Sequence, residues 1–305
     1  MKDFLAITDY SKDEILELLN LAIELKKEWK TKGNTPRLKN KVLAMVFQKP
    51  SLRTRVSFDM AMRHLGGDAL YLSPSEIGLG KRESIADIAR VLSGYVDVVM
   101  ARVFAHEHIL KLAKWSTIPV INGLSDYNHP CQAMADALTI LETFGRFKDI
   151  KVTYVGDGNN VALSLMNICA TVGANFVISS PPGYEINEQH ISLAREIAQE
   201  NQGFVKVESN PKIAVKNADV IYTDTWTSMG QEEESIIRSK VFPPYQVNQE
   251  LVSLAKKTAI VMHCLPAHRG QEITDEVADG SHSMLFPQAH NRLHAQKAIL
   301  LKLLS

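Results

Sequence analysis

The chain has 305 residues, of which 45% are hydrophobic and 22% charged, the composition of a globular protein with room for two domains. Its 34 basic residues balance its 34 acidic residues, so the charge does not favour nucleic acid or a membrane surface as a partner. No apolar run reaches the roughly 20 residues that a membrane-spanning helix needs.

The cysteines and the first residues indicate the compartment. Cys131, Cys169 and Cys264 are odd in number and widely spaced, which fits neither a disulfide framework nor a C-x-x-C metal site. The first residues lack the apolar core of a signal peptide. We therefore expect a protein of a reducing compartment, the cytoplasm.

The hydrophobic pattern of the first half predicts helices that alternate with strands. Ser11 and Glu14 form a capping box ahead of a first helix that ends near Gly33. Strands are predicted at 42–47, 69–72, 96–103 and 118–122, and further helices from 54 to about 65 and at 83–92, 107–115 and 131–144.

The same rhythm restarts after the charged turn 145–149. Strands are predicted at 151–155, 175–179, 205–208, 220–223 and 259–263, and helices from 160 and at 187–200, 248–257 and 287–304. Strands that alternate with helices indicate parallel sheets. We expect an α/β fold of two parallel-sheet domains joined by interdomain helices. Their predicted bounds are 1–147 and 148–286, with a C-terminal helix, 287–305, that packs back on the first domain.

Polar clusters follow strands in both halves, where open parallel sheets bind ligands. They are 51–54, Arg102 and His129 in the first half, and 156–160, 224–230 and 263–266 in the second. Clusters of this kind from two domains predict a cleft between the domains.

In the first half, residues 51–54 combine hydroxyls, backbone N–H groups and the cation of Arg53 at the start of a helix, which favours phosphate. Arg55 points away from Arg53 on a helix, so we expect one arginine to contact the ligand and the other to form an ion pair. His129 and Gln132 suit a ligand with a carbonyl and an NH2 group. The alternatives are a basic helix cap at 51–54, a helix-capping role for His129 and a surface ion pair for Arg102.

In the second half, Gly156 and Gly158 begin a dinucleotide fingerprint that lacks its third glycine, because Val161 stands there. A nucleotide-dependent oxidoreductase is therefore disfavoured. Asn159 and Asn160 suit a small polar ligand, or cap a helix. Asp224 begins a loop that suits the binding of an amino group. The alternative is that this loop is a mobile surface loop. Four interpretations of Cys264 stay open, namely metal ligand, nucleophile, thiol that orients an amine, and small buried hydrophobe.

Taken together, four motifs resemble the aspartate/ornithine carbamoyltransferase family, and its ornithine-type branch in particular. The resemblance covers nearly the whole chain. The first two motifs are shared across the family, and the last two are typical of the ornithine type. They are Ser51-Leu52-Arg53-Thr54-Arg55, His129-Pro130-Cys131-Gln132, Asp224 with Ser228-Met229-Gly230, and His263-Cys264-Leu265-Pro266.

The resemblance implies a role for each matched position. Arg102, His129, Cys264 and Asp224 would be the catalytic residues. Carbamoyl phosphate would be bound by Ser51, Leu52, Arg53, Thr54, Arg102, His129, Gln132, Cys264, Leu265 and Arg292. Ornithine would be bound by Asn160, Asp224, Ser228 and Met229.

The implied reaction transfers the carbamoyl group of carbamoyl phosphate to the δ-amine of L-ornithine, giving L-citrulline and phosphate for either arginine synthesis or arginine breakdown. A homotrimer with no metal and no organic cofactor is implied. Acetylornithine, putrescine and aspartate are the alternative amines, and a non-catalytic sensing homologue is a further alternative. Leu52 replaces a threonine common in the family, and acetylornithine-type relatives also carry leucine there. The Asp224 loop favours a free α-amino group and hence ornithine.

Overall fold

The computed structural model describes residues 2–80, 82–227 and 232–305. The chain divides into two compact units, Met1–Leu138 with His290–Ser305, and Thr139–Ala289. Each unit carries one parallel sheet with helices around it, so the predicted α/β fold is confirmed. The division falls inside two long helices, and the predicted domain bounds stay predictions. No described helix is long and apolar enough to cross a membrane.

The first unit alternates strands with helices from its first long helix onward. A 3-10 turn at Ile7–Asp9 precedes that helix, which Ser11 and Glu14 cap as predicted. Its strands are β1 (Val42–Phe47), β2 (Asp68–Leu72), β3 (Val98–Arg102) and β4 (Val120–Leu124). Its helices are α1 (Lys12–Lys32), α2 (Leu52–His64), α3 (Pro74–Ile77), α4 (Ile85–Ser93), α5 (His106–Trp115) and the start of α6 (Pro130–Phe144).

The first sheet has the order β2-β1-β3-β4 and is parallel throughout. Its central strands β1 and β3 are almost wholly buried, so their sequences are continuous apolar runs. The pairing of Phe47 with Arg102 brings the ends of β1 and β3 to the same edge. A register shift between Ala101 and Arg102 marks an irregularity at the same point of the pairing with β4. The residues that follow β1 and β3 are therefore neighbours.

The second unit repeats this plan with five strands in the order β7-β6-β5-β8-β9, again parallel. Its strands are β5 (Lys151–Val155), β6 (Asn175–Ser179), β7 (Val205–Val207), β8 (Val220–Thr223) and β9 (Ile260–His263). Its helices are α7 (Asn160–Val172), α8 (Glu188–Glu200), α9 (Pro211–Ala214), α10 (Ser235–Val241), α11 (Gln249–Ser253), α12 (Asp275–Ala278) and the start of α13 (Leu285–Leu304), with 3-10 turns at Glu232–Glu234 and Pro243–Tyr245.

Differences from the predicted elements are confined to short segments. Helix α11 ends at Ser253, four residues before the predicted end. The one-turn helices α3, α9 and α12 were not predicted. A helix of one or two turns shows too few apolar repeats for its period to be recognised.

Candidate active site

The residues after β1 form a capped helix start, as the sequence predicts. Ser51 is the N-cap of α2, and its Oγ accepts a hydrogen bond from the backbone N–H of Thr54 at 3.3 Å. The Ser51 hydroxyl donates in turn to Thr54 Oγ1 at 3.1 Å. The Leu52 side chain is exposed, so this residue offers the site its backbone rather than its side chain. The helix start presents oriented N–H groups and hydroxyls to an anion.

Two arginines from distant parts of the first unit converge on Thr54. Arg292, on α13, donates from Nη2 to Thr54 Oγ1 at 2.8 Å, and Arg102, at the end of β3, donates from Nη1 to the same oxygen at 3.5 Å. Thr54 and Arg292 are buried. The structure thus joins Ser51, Thr54, Arg102 and Arg292 into one positively charged cluster.

His129 is buried directly before α6, near this cluster. Burial holds the pKa of its imidazole well below the ordinary value, and the positive charges of Arg292 and Arg102 lower it further. His129 is therefore neutral at physiological pH. A neutral imidazole donates one N–H hydrogen bond to an oxygen without adding a charge.

The last two residues of the His129 motif, Cys131 and Gln132, lie in the first turn of α6. Gln132 is buried, and its Nε2 donates to Asp136 Oδ1 at 2.8 Å. Cys131 is buried as well, its Sγ donates to the Asn122 carbonyl at 3.4 Å, and burial raises the pKa of its thiol to about 12. Cys131 therefore serves packing, and its thiol is not a nucleophile at neutral pH.

Arg55 has a structural contact, as expected for one of the two arginines, but among the described residues this contact is with an aromatic ring and not the expected ion pair. Its guanidinium lies over the Tyr71 ring, 3.9 Å from the ring centroid. Tyr71 belongs to β2, the edge strand that pairs with β1 on the side away from β3. Arg55 therefore stabilises this edge of the sheet through a cation–π contact. Arg53 is half-buried at the helix start.

In the second unit, Asp224 joins the ends of three strands. It follows β8 and is buried, its Oδ1 accepts a hydrogen bond from Cys264 Sγ at 2.9 Å, and its Oδ2 accepts one from Asn159 Nδ2 at 2.8 Å. Cys264 follows β9 and Asn159 follows β5. The carboxylate is thus held from both sides before any ligand enters.

The two adjacent asparagines have different positions. Asn159 is the N-cap of α7, where its Oδ1 accepts from the N–H groups of Val161 and Ala162, both at 3.0 Å, while its Nδ2 reaches Asp224. Asn160 is the first residue of the helix and is half-buried. We predicted ligand contact for Asn160 from the sequence, but not the hydrogen bond from Asn159 to Asp224. The N-cap preference was the signal that distinguishes them.

A buried histidine and glutamate hold the turn around Cys264. His263 Nδ1 accepts a hydrogen bond from the Leu265 N–H at 2.9 Å, so the ring proton is on Nε2, which lies 3.1 Å from Glu272 Oε1. Both side chains are fully buried. Leu265 has φ +59 and is followed by a cis peptide bond to Pro266. The pair fixes the backbone that carries Cys264 and Leu265.

Asp224, His263 and Cys264 also offer one ligand atom each within 4.8 Å of one another, which is close enough to hold a metal ion. Both ring nitrogens of His263 are already engaged, so the imidazole binds an ion only by giving up a hydrogen bond. These three side chains are equally suited to a second role, in which the Cys264 thiol orients an amine. That the reaction needs no metal remains a prediction.

Arg238, which the sequence analysis did not identify, anchors the loop after Asp224. It is buried on α10, pairs with Asp157 through Nη1 and Oδ2 at 3.0 Å, and donates to the Trp226 carbonyl at 2.7 Å. Its Nε donates to Glu234 Oε2 at 2.9 Å, so Glu234 is a second carboxylate partner of Arg238. Burial raises the pKa of Asp157 to about 6, although Arg238 opposes the shift.

The predicted ornithine contacts Ser228 and Met229 lie outside the described residues. The segment before them is anchored by Arg238, through Trp226, and by Thr225, whose Oγ1 lies 3.0 Å from His268 Nδ1. The backbone N–H of His268 in turn donates to Glu272 at 2.5 Å. The loop is therefore tied to the same buried glutamate as the Cys264 turn.

Family models match both parts of the chain. Residues 2–142 match the carbamoyl-P binding domain, and residues 148–303 the Asp/Orn binding domain, of the aspartate/ornithine carbamoyltransferases. The chain belongs to this family. The resemblance drawn from the four motifs is thereby confirmed.

Individual relatives agree over nearly their whole length. An ornithine carbamoyltransferase of Archaeoglobus fulgidus is 56% identical over 304 residues, covering 100% of this chain and 98% of its own. An anabolic ornithine carbamoyltransferase of Pyrococcus furiosus is 54% identical over 300 residues, covering 98% and 95%. The structure of an ornithine carbamoyltransferase from Pyrococcus furiosus superposes with a TM-score of 0.96 at 54% identity, covering 98% of this chain and 96% of that one.

Proposed function

We propose that the protein transfers the carbamoyl group of carbamoyl phosphate to the δ-amine of L-ornithine, giving L-citrulline and phosphate. The observation that carries this function is the convergence of Arg292 and Arg102 on Thr54 beside the neutral His129. Relatives that are 52–56% identical to this chain and match 98–100% of it carry the name ornithine carbamoyltransferase. Whether the reaction serves arginine synthesis or breakdown does not alter its chemistry.

The first unit supplies the carbamoyl phosphate half. We assign the phosphate to the N–H groups and hydroxyls of 51–54 and to the guanidiniums of Arg53, Arg102 and Arg292. Arg102 also reaches the carbamoyl oxygen, to which His129 donates an N–H. Gln132 binds the carbamoyl NH2. All of these groups are donors except the Gln132 oxygen, so they stabilise negative charge without forming a covalent bond.

The second unit supplies the ornithine half. Asp224 is a buried carboxylate that attracts an ammonium or amine. We assign Asn160, Ser228 and Met229 to the α-amino and α-carboxylate ends of the substrate, as the family resemblance implies. Asn159 and Cys264 hold Asp224 in place through its two oxygens. Leu265 and Cys264 line the reaction centre.

The reaction itself needs a neutral δ-amine, whose pKa in water lies near that of lysine, about 10.4. Asp224 and the Cys264 thiol orient this nitrogen so that its lone pair attacks the carbamoyl carbon. Charge then grows on the carbamoyl oxygen, facing Arg102 and His129, and on the bridging oxygen, facing Arg53 and Arg292. The C–O bond to phosphate breaks, and the departing phosphate takes the amine proton. Positioning and preorganised donors supply the catalysis.

The test is product formation from carbamoyl phosphate with ornithine, acetylornithine, putrescine and aspartate in parallel. We expect citrulline from ornithine alone, because the Asp224 loop favours a free α-amino group beside the reacting amine. Turnover with acetylornithine or putrescine keeps the carbamoyl phosphate half but contradicts the assignment of the Asp224 loop. No turnover with any amine contradicts the enzymatic function and favours a sensing homologue.

We also propose that the protein is a cytoplasmic homotrimer, which the family resemblance implies. An apolar stripe on α2 supports association: Leu52, Val56 and Met60, spaced by one helical turn, expose 75%, 49% and 37% of their surface. Sedimentation should give three times the 34.0 kDa chain mass. Val56→Glu should dissociate the trimer, whereas Arg195→Glu, on an exposed face of α8, should not.

A further inference from the structure

A buried pair on α6 determines how the Gln132 amide is turned. Gln132 and Asp136 lie one helical turn apart, on the same face of the helix. Each exposes only 1% of its surface, and Gln132 Nε2 donates to Asp136 Oδ1 at 2.8 Å. The carboxylate is therefore placed to orient the amide.

The chemistry of the pair leaves one orientation. Nε2 of the amide donates to the Asp136 carboxyl oxygen, so the NH2 end faces Asp136 and the Oε1 end faces away. Within the part of the chain that the structure describes, this buried Oε1 has no hydrogen-bond partner. A buried acceptor of this kind costs stability, and a ligand that donates to it recovers that cost.

The side chains next to Gln132 indicate which chemical groups such a ligand must carry. Gln132 belongs to the first turn of α6, next to His129, whose imidazole feels the charges of Arg102 and Arg292. The guanidiniums and the imidazole are donors and suit anionic or carbonyl oxygens, whereas Gln132 Oε1 is an acceptor and suits an N–H. A molecule with a phosphate, a carbonyl and an NH2 group satisfies all of them.

We propose that Asp136 is a positioning residue that makes the site select an NH2-bearing acyl phosphate over one that bears a methyl group. It acts through Gln132, by keeping Oε1 turned towards the carbamoyl NH2. The inference rests on the proposed function and deepens it, since it names the residue that rejects acetyl phosphate. A methyl group cannot donate, so acetyl phosphate leaves Oε1 unsatisfied.

The test compares two stable ligands that differ only in this group. Phosphonoacetamide carries an NH2 where 2-oxopropylphosphonate carries a methyl, and inorganic phosphate reports the anion site alone. Calorimetric binding to the purified full-length protein gives the affinity ratio of the first two. We expect D136N to lower the preference for the amide about tenfold, the size of one hydrogen bond, because the new side chain can donate to Oε1. Phosphate affinity should stay within about twofold.

Further variants separate orientation from folding. Gln132→Met should abolish the preference, and D136N added to it should not change the ligand ratio further, because the proposed effect of Asp136 on the ligand passes through Gln132. D136E keeps the carboxylate and should keep the preference. If D136N does not fold, D136S gives the same readout. Asp97→Asn, which alters a carboxylate that caps β1 at the opposite edge of the sheet, is the matched control.

These binding measurements test the role of Asp136 in the absence of ornithine. Equal weakening of all three ligands, an unchanged ratio in D136N, or a further loss of preference in the double variant would each contradict it. Failure of the proposed function shows separately, as absence of citrulline formation by the unaltered protein. A preserved ligand ratio in D136N with normal turnover would therefore reject this inference and leave the function intact.

Discussion

Arg292 and Thr54 are 238 positions apart in the sequence, yet Arg292 Nη2 donates to Thr54 Oγ1 at 2.8 Å inside the first unit. The contact ties α13 to the start of α2, and both residues are buried. It places a guanidinium beside the backbone N–H groups that begin the helix. The last helix of the chain therefore completes a cluster that the segment after β1 begins.

Arg292→Met should lower kcat/KM for carbamoyl phosphate about 10²- to 10³-fold, because a charged donor facing the leaving phosphate is lost. Steady-state kinetics with saturating ornithine measures the effect. Thr54→Val keeps the shape of the residue and removes the shared hydroxyl, so it should give a smaller loss. Unchanged kinetics in Arg292→Met would show that the phosphate lies elsewhere.

Asp224→Asn should raise the KM for ornithine at least about tenfold and change the KM for carbamoyl phosphate far less. The carboxylate loses its charge, and its new NH2 group faces a donor, either Asn159 or Cys264. Asp219→Asn is the control, since Asp219 is buried at the other end of β8 and binds Lys256. Equal losses for both substrates would contradict the division of substrates between the units.

Arg238→Met should lower the free energy of unfolding by about 3–5 kcal/mol, the usual cost of breaking a buried ion pair. Asp157 would remain buried without its cation, and the Trp226 carbonyl would lose its donor. Adding Asp157→Asn should recover part of the loss. Arg195→Met, which breaks an exposed pair with Glu188, should cost less than about 1 kcal/mol in the same urea titration. Similar costs for both arginines would count against the anchor.

The stability of the first unit should fall as the pH drops below about 6.5. Burial lowers the pKa of His294 to about 3, and nearby Lys297 and Lys26 lower it as well. In the unfolded chain the His294 imidazole has an ordinary pKa near 6.5 and binds a proton below that pH, whereas in the folded state it stays neutral. Acid therefore favours unfolding. Between pH 6.5 and 5 this group should cost about 2 kcal/mol.

Urea unfolding of the His294→Asn variant at both pH values measures this contribution. The variant should lose less stability than the unaltered protein between pH 6.5 and 5. His290→Asn, one turn earlier and exposed, is the control and should behave like the unaltered protein. If His294→Asn showed the full acid sensitivity, the loss would come from other groups.

Most of the fold could be predicted because its signals are local. The apolar runs of β1, β5, β6 and β8 gave strand bounds equal or close to those observed, since strands buried on both faces are continuous apolar segments. The capping box at Ser11 and the N-cap at Ser51 are likewise set by neighbours three residues apart.

The candidate site could be predicted only as a set of residues, not as contacts. The motifs indicated Ser51, Arg102, His129, Asp224 and Cys264, because their residue types and their positions after strands are visible in the chain. Which atoms meet was not visible. Asn159 donates a hydrogen bond to Asp224, and the Arg55 guanidinium lies over the Tyr71 ring.

The sequence by itself determined the order of strands and helices, the family and the chemistry that its motifs can perform. Only the tertiary structure decided that Arg292 meets Thr54, that Arg238 holds Asp157 and Trp226, and that Asp136 turns the Gln132 amide. Periodicity and capping depend on residues a few positions apart, whereas most of these contacts arise when parallel strands align their ends and distant helices pack beside them. Even the i, i+4 pair on α6 acquires its meaning from burial, which leaves the Gln132 oxygen to a ligand.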